Sequence, residues 1–260
     1  MTKTDSGLKH SHLLLALSSL LAFAACGGAQ EGGESHHNGE KRSLSTLPGL
    51  DHGLIQSPVN ILSAKSASGT HSVVVNAGNT RAKDVVNTGH SVQLDFAPGA
   101  SITFDGKTYD FAQLHFHTPS EHQIDGVTYP MEMHCVNIRP PEGGDGPPEY
   151  LVVGIFFKMG AEDPFISGFL ERIPDAANTT QSLDSSPVYL TDLLGEMNEA
   201  EPYYHYNGSL TTPPYTETVT WLVVKRVFDA SQEQIQTINQ LEGDNARHVQ
   251  ALYGRKIDQD

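Results

Sequence analysis

The feature that most limits what this chain can become is a succession of short runs rich in β-branched and aromatic residues, each closed by a turn signal. Ser72–Val75, Val92–Phe96, Ser101–Phe104, Phe111–His117, Glu132–Ile138, Leu151–Lys158 and Thr218–Val224 read as strands. Between them stand Asn-Ala-Gly-Asn, Pro-Gly, Asp-Gly and Pro-Pro-Glu-Gly-Gly, whose residues supply the backbone angles of turns. Helical pattern is sparse, with candidates at Phe165–Glu171, Pro187–Leu194 and Ser231–Leu241, the last opened by a Ser-x-Glu start. No internal repeat is present. The expectation is a mainly β (α+β) fold: one domain on a large, mostly antiparallel central sheet with a few peripheral helices. A chain of 260 residues can bury a core of that kind without disulfide staples. A formal net charge of −15 repels nucleic acid, which excludes that class of partner.

The N-terminus sets the compartment. Lys3 and Lys9 precede an apolar run, Leu13–Ala25, which is followed by Cys26 and two glycines. The run is shorter than the ~20 residues a spanning helix needs, so residues 1–25 read as a signal peptide rather than a permanent anchor. Phe23-Ala24-Ala25-Cys26 resembles the lipobox of bacterial lipoproteins, with Phe23 standing where an aliphatic residue is usual. The resemblance implies a lipid on Cys26, and this anchor is the only membrane contact expected. Residues 26–43 contain the Gly-, Glu- and Ser-rich stretch of a flexible tether, and residues 44–260 are the folded domain. The expected location is therefore the bacterial cell envelope or periplasm, with the chain exported and lipid-anchored. His36 and His37 lie in the tether and receive no role. With Cys26 acylated, Cys135 has no partner, and no structural disulfide is expected.

Chemistry concentrates in two of the strands. Residues 113–117 read Gln-Leu-His-Phe-His, so Gln113, His115 and His117 share one face while Leu114 and Phe116 take the other. Residues 132–136 read Glu-Met-His-Cys-Val, which puts Glu132, His134 and Val136 on one face and Met133 and Cys135 on the other. Side by side, the strands would bring three imidazoles together. Three histidines without a fourth protein ligand are the donor set of a catalytic zinc site whose open position takes water. Gln113 and Glu132, each two residues before a candidate ligand, suit the task of fixing an imidazole's tautomer. The same residues equally describe a polar strand face whose histidines are satisfied by hydrogen bonds, and the pattern alone leaves both open. Cys135, among apolar positions, reads as a small buried hydrophobe.

Longer motifs decide between them. Gln113–His122 (QLHFHTPSEH), Glu132-Met133-His134, Gln56–Ile61 (QSPVNI), and Tyr206–Pro214 (YNGSLTTPP) followed by Val219-Thr220-Trp221 resemble the α-class carbonic anhydrases in their bacterial form. The matches keep the family's order from about residue 54 to residue 257. The resemblance implies a Zn2+ enzyme that reversibly hydrates carbon dioxide to bicarbonate and a proton, by attack of a hydroxide held on zinc. It implies His115, His117 and His134 as zinc ligands, with Gln113, Glu132 and the backbone carbonyl of Asn245 orienting them. Thr211 matches the residue whose hydroxyl donates to a buried carboxylate, here Glu121, and Thr212 lines the cleft. Val136, Val152, Leu210 and Trp221 match the apolar wall against which carbon dioxide rests, with Gln93 a polar cleft residue. His90, in Asn87–Gln93 (NTGHSVQ), matches the proton-shuttle histidine. Carbon dioxide, bicarbonate and water are the implied partners.

The sequence departs from the family at two places. A Trp- and Tyr-rich segment usually precedes Gln-Ser-Pro, but Trp221 is the only Trp here. The disulfide usual in bacterial members is also missing, since Leu50 and Tyr215 stand near its two positions. Two rival readings follow: a catalytically weak or inactive zinc-binding envelope lipoprotein, which would be expected to lose a ligand histidine, and a zinc scavenger, which would want several exposed sites among the 13 histidines.

Overall fold

The computed structural model describes residues 53–195, 197 and 201–260, so the expected signal peptide, Cys26 and the expected tether lie outside the described residues. In chain order the strands are β1 (Asn60–Ile61), β2 (Ala67–Ser68), β3 (Val73–Asn76), β4 (Ala82–Asn87), β5 (Val92–Phe96), β6 (Ser101–Phe104) and β7 (Lys107–His117). They continue as β8 (Gln123–Ile124), β9 (Met131–Arg139), β10 (Glu149–Met159), β11 (Thr179–Ser182), β12 (Tyr203–Gly208), β13 (Val219–Ala230) and β14 (Asp258–Gln259). The main sheet runs β11-β4-β5-β7-β9-β10-β13-β12-β14-β2, with β6 branching from β7 and β3 from β6. Its neighbours are antiparallel except β10 with β13 and β14 with β2. The fold is thus the expected one, mainly β on a large and mostly antiparallel sheet.

Among the described residues three short helices sit around it: α1 (Pro164–Ser167), α2 (Leu190–Gly195) and α3 (Gln232–Glu242). The α3 start follows from its sequence, because Ser231 caps the Gln234 N–H while the Gln234 side chain reaches back to the Ser231 N–H. The expected helix at Phe165–Glu171 is shorter, closing at Gly168 and resuming only as a single 3-10 turn at Leu170–Arg172.

Alternation on the central strands builds two faces. Leu114 and Phe116 of β7, Met133 and Cys135 of β9, and Ile155 and Phe157 of β10 are buried in one core, which Ile235 and Ile238 of α3 help to close. Val136, Val152, Tyr206, Trp221 and Val223 form the core of the other face. A register shift in β7 between Phe111 and Gln113 inserts Ala112 as an extra residue. That bulge lets Phe111 enter the same core as Leu114 although strict alternation would send it to the other face. From Gln113 onward alternation is unbroken, so Gln113, His115 and His117 of β7 and Glu132 and His134 of β9 face one way.

Candidate metal centre

His115 on β7 pairs directly with His134 on β9, and His117 pairs with Glu132. The register therefore gathers three imidazoles on adjacent strands. Ring centroids lie 5.0 Å apart for His115 and His117, 5.3 Å for His115 and His134, and 4.6 Å for His117 and His134. One ligand atom from each falls within 4.8 Å of the others.

Hydrogen bonds settle which nitrogens are committed. Gln113 Oε1 accepts from His115 Nδ1 at 3.0 Å, and Glu132 Oε1 accepts from His134 Nε2 at 2.9 Å. His115 Nε2 and His134 Nδ1 are left with lone pairs. Both nitrogens of His117 are buried without a hydrogen-bond partner, as is Glu121 Oε2, which lies 3.5 Å from His117 Nε2. Burial, followed by the neighbouring imidazoles, drives His115 well below its usual 6.5. Burial and His134 drive His117 down to about 3. Burial also disfavours charge on His134, but Glu132 outweighs it and raises that imidazole. Two imidazoles held neutral, and a third that Glu132 orients and that offers Nδ1 when it gives up its second proton, are a donor set for a borderline dication such as zinc, and the orphaned nitrogens of His117 mark a place for one.

Glu132 is the hub behind this group. Its Oε2 accepts the backbone N–H groups of Glu121 and His122 at 2.9 and 2.8 Å, while its Oε1 takes His122 Nδ1 at 2.8 Å as well as His134. Burial alone would raise its carboxyl, but His122 and His134 overcome that and hold it well below the usual range. Gly154 pairs with His134 across β9 and β10, and a Cβ there would stand 2.9 Å from Glu132 Oε1. A glycine leaves the room that this carboxylate occupies.

The remaining expected residues fall around the three histidines. Glu121 is buried, and its Oε1 accepts the Arg247 N–H at 2.9 Å. Burial raises Glu121, whereas His134, the Arg247 N–H and the Thr211 side chain favour its ionised form. Thr211 is buried and Thr212 exposed. Val136, Val152 and Trp221 lie side by side across β9, β10 and β13 and pack as one cluster, with Leu210 against it. Trp221 stands edge-on to His134 with centroids 4.8 Å apart. Gln93 pairs with His115 across β5 and β7, and its side chain donates to Asp95. His90 is exposed on the β4–β5 turn, where its carbonyl accepts from Asn245 Nδ2 at 2.7 Å.

Asn245 reaches the end of β7 through its side chain. Oδ1 accepts the Thr118 N–H, and Nδ2 donates to the Phe116 carbonyl at 3.3 Å. No hydrogen bond joins the Asn245 carbonyl to His117, whose Nδ1 is one of the orphaned atoms. Cys135 is a buried free thiol pushed up to about 12 by burial, an inert position.

Four residues of the site went unremarked in the sequence: His122, Tyr206, Ser57 and Arg247. His122 Nε2 meets the Tyr206 hydroxyl at 2.6 Å, and that hydroxyl donates to Ser57 Oγ at 2.9 Å. The chain Ser57-Tyr206-His122-Glu132-His134 thus runs from the segment just before β1 to a candidate ligand. His122 and Tyr206 are the terminal letters of two quoted motifs, but His122 follows the strand, where alternation gives no direction.

A largely β domain holding three convergent, pre-oriented imidazoles beside an apolar wall has the architecture of a three-histidine lyase. A family model for eukaryotic-type carbonic anhydrase matches residues 45–260, and the chain belongs to the α-class carbonic anhydrase family. It is 32% identical to a carbonic anhydrase of Pectobacterium carotovorum over 94% of this chain and 98% of the relative. Among solved structures, the α-carbonic anhydrase of Thermovibrio ammonificans, in complex with the inhibitor sulfanilamide, superposes with a TM-score of 0.71 at 35% identity, covering 79% of this chain and 87% of that one. Dioscorin complexed with ascorbate superposes at 0.69 and 26% identity, covering 80% and 86%. The chain is a carbonic anhydrase, of a zinc-enzyme family whose general reaction is the hydration of carbon dioxide.

Proposed function

We propose that this chain is an active zinc enzyme interconverting carbon dioxide and bicarbonate, exported and held at the bacterial envelope by a lipid on Cys26. The observation that carries the reading is the convergence of the His115, His117 and His134 imidazoles on one point, with ligand atoms within 4.8 Å of one another and one ring nitrogen of each not taken up by a hydrogen bond. These residues would hold the zinc, which when bound lowers the pKa of a coordinated water from about 15.7 to about 7 and so makes hydroxide available at neutral pH.

The protein's own groups do the rest. Gln113 and Glu132 keep the imidazoles in the ligating tautomer. Glu121, fixed by the Arg247 N–H, accepts a hydrogen bond from the Thr211 hydroxyl, which leaves the Thr211 oxygen to act only as an acceptor toward the reacting centre. That aims the nucleophile's lone pair. Val136, Val152, Leu210 and Trp221 offer carbon dioxide an apolar seat, because an uncharged, apolar substrate needs no ionic anchor. Thr212 and Gln93 line the polar side. The proton released passes to the His90 imidazole at the rim and from there to buffer, a task suited to a side chain type that exchanges protons near neutral pH.

Zinc content by elemental analysis beside carbon dioxide hydration by stopped flow tests the reading. One zinc lost with His115→Ala, His117→Ala or His134→Ala, together with turnover, supports it. Zinc without turnover leaves the weak or inactive binding protein, and unchanged zinc in all three variants overturns the site. Mass spectrometry of membrane-extracted protein should find an acylated N-terminal Cys26, and an unmodified N-terminus elsewhere would refute the anchor.

A further inference from the structure

The opposite face of the sheet carries a second group of metal-ligating side chains. On β12, Tyr206 faces His122 and the candidate metal centre, so its neighbour His205 points to the other side. There His205 pairs with Asp258 of β14, and its Nδ1 lies 3.0 Å from Asp258 Oδ1. His71, in the loop between β2 and β3, brings Nε2 to 3.3 Å from the same oxygen. The two imidazoles meet edge to face at 4.4 Å, and His71 stacks on Phe104 at 4.9 Å. Ligand atoms of His71, His205 and Asp258 all fall within 4.8 Å of one another.

The hydrogen-bond geometry around His71 shows how the cluster would hold a cation. Asp105, at the β6–β7 turn, accepts from His71 Nδ1 at 2.7 Å and is itself held by the Ser72 N–H at 2.9 Å. A neutral imidazole has one N–H, and His71 commits it to Asp105. Its Nε2 then faces a carboxylate oxygen 3.3 Å away, a contact that calls for positive charge between the two, supplied by a second ring proton or, with that proton displaced, by a bound cation. A second imidazole converges on that same oxygen. The N···O separations of 3.0 and 3.3 Å also fit a shared ion, since ligands at ~2.0 Å in a tetrahedron lie ~3.3 Å apart.

We propose that His71 Nε2, His205 Nδ1 and Asp258 Oδ1 form a second site for one divalent transition-metal ion of the zinc type, with Asp105 as the carboxylate that orients His71. Two imidazoles and a carboxylate suit zinc, cobalt or nickel better than calcium or magnesium, which prefer oxygen. The side chains of His71, His205 and Asp258 are 20%, 11% and 27% exposed, which leaves an approach and room for water to complete the coordination. The ion would join four separate segments: the loop before β3, the β6–β7 turn, β12 and the C-terminal strand β14. Its role is a structural clip on the sheet edge, independent of the chemistry on the opposite face.

The test is zinc chloride titrated into chelator-stripped protein, with bound zinc counted by elemental analysis and located by anomalous diffraction at the zinc edge. Wild type should take up two equivalents and His71→Ala one, with carbon dioxide hydration retained as proof of folding. Asp258→Asn, which keeps the shape of the side chain, should also bind one. Asp105→Asn should bind the second zinc 10 to 100-fold more weakly, the scale of losing an orienting partner. Zinc in excess should raise the melting temperature of wild type beyond that of His71→Ala. A single equivalent in wild type that is abolished by His115→Ala overturns the second site and leaves the catalytic one. A single equivalent that survives His115→Ala and vanishes in His71→Ala supports the second and overturns the first. Two equivalents retained in both His71→Ala and Asp258→Asn would also refute the assignment.

Discussion

Replacing Glu132 by Gln tests the central electrostatic argument because it changes almost nothing but proton direction. The carboxylate accepts four hydrogen bonds, two from backbone N–H groups at Oε2 and two from imidazoles at Oε1. An amide has one accepting end. If its oxygen faces the backbone, its NH2 faces His122 Nδ1 and His134 Nε2, and both rings must move their proton to the other nitrogen. For His134 that nitrogen is Nδ1, the one needed for a metal. If its NH2 faces the backbone instead, two buried N–H groups are left unpaired, at ~1–3 kcal/mol each. The first arrangement therefore wins in the metal-free protein, and its cost arises only on loading, when His134 Nε2–H must point at another donor. One unsatisfied buried donor costs ~1–3 kcal/mol, which is about 5 to 150-fold in affinity. Glu132→Gln should thus bind zinc 10 to 100-fold more weakly in competition with a chromophoric chelator, while the metal-free protein melts near wild type. Glu132→Ala, which strands all the donors, should lower the metal-free melting temperature too. Wild-type zinc affinity in Glu132→Gln, or equal losses in loaded and metal-free stability, would refute the reasoning.

Glu242 is buried with its oxygens 3.0 Å from the Val92 N–H and from Thr118 Oγ1, and burial pushes it from 4.5 up to about 8. The folded state then holds its proton more tightly than the unfolded chain, so the associated stability is full below about 4.5 and is lost as pH rises through about 8. On going from pH 6 to pH 9, wild type should lose ~2 to 3 kcal/mol more unfolding free energy than Glu242→Gln, read by urea titration, and parallel pH profiles would contradict this. His90→Ala should lower kcat in dilute, bulky buffer with little change in kcat/KM, and concentrated imidazole should restore it; an unchanged kcat at low buffer would make His90 a turn residue only. Cys135 should resist thiol reagents in the native protein at neutral pH and react on unfolding, whereas rapid native labelling would show that its core opens.

What could be read beforehand was what alternation governs. Gln113, His115 and His117 lie beyond the bulge in β7, and Glu132, His134 and Val136 lie on an unbroken β9, so a period of two predicts their common face. The same rule fails where the backbone departs from it. Phe111 crosses to the other face because of Ala112. β4 was not expected, since Lys83 and Asp84 interrupt its apolar residues, and edge strand β11 is exposed along its whole length. β13 continues through Lys225 and Arg226 to Ala230, past the expected end at Val224, because its partner β10 runs alongside to Met159. Residues that act from irregular segments, His122 and Arg247 among them, are placed by tertiary packing that no local period encodes.

The two departures from the family bear on how the site is held. Bacterial relatives tend to join the segment before Gln-Ser-Pro to the loop after Thr-Thr-Pro-Pro by a disulfide, and here those segments meet through polar contacts. Glu217 Oε1 accepts from the Ile55 N–H at 2.8 Å and from Gln56 Nε2 at 2.9 Å. Gln56 Nε2 also reaches the Tyr215 carbonyl at 3.2 Å. The Arg247 guanidinium stacks over the Tyr215 ring at 3.8 Å and donates to Gln56 Oε1 and to the Ser57 carbonyl. At ~0.5–1.5 kcal/mol for each hydrogen bond, and more for those made by charged groups, this set is comparable with the ~2–4 kcal/mol of one disulfide. Its reach is also longer. The Arg247 backbone N–H holds Glu121, and Ser57 ends the chain through Tyr206 and His122 to Glu132. The knot that substitutes for a covalent tie therefore positions both buried carboxylates of the site, and does so without depending on the redox state of the compartment.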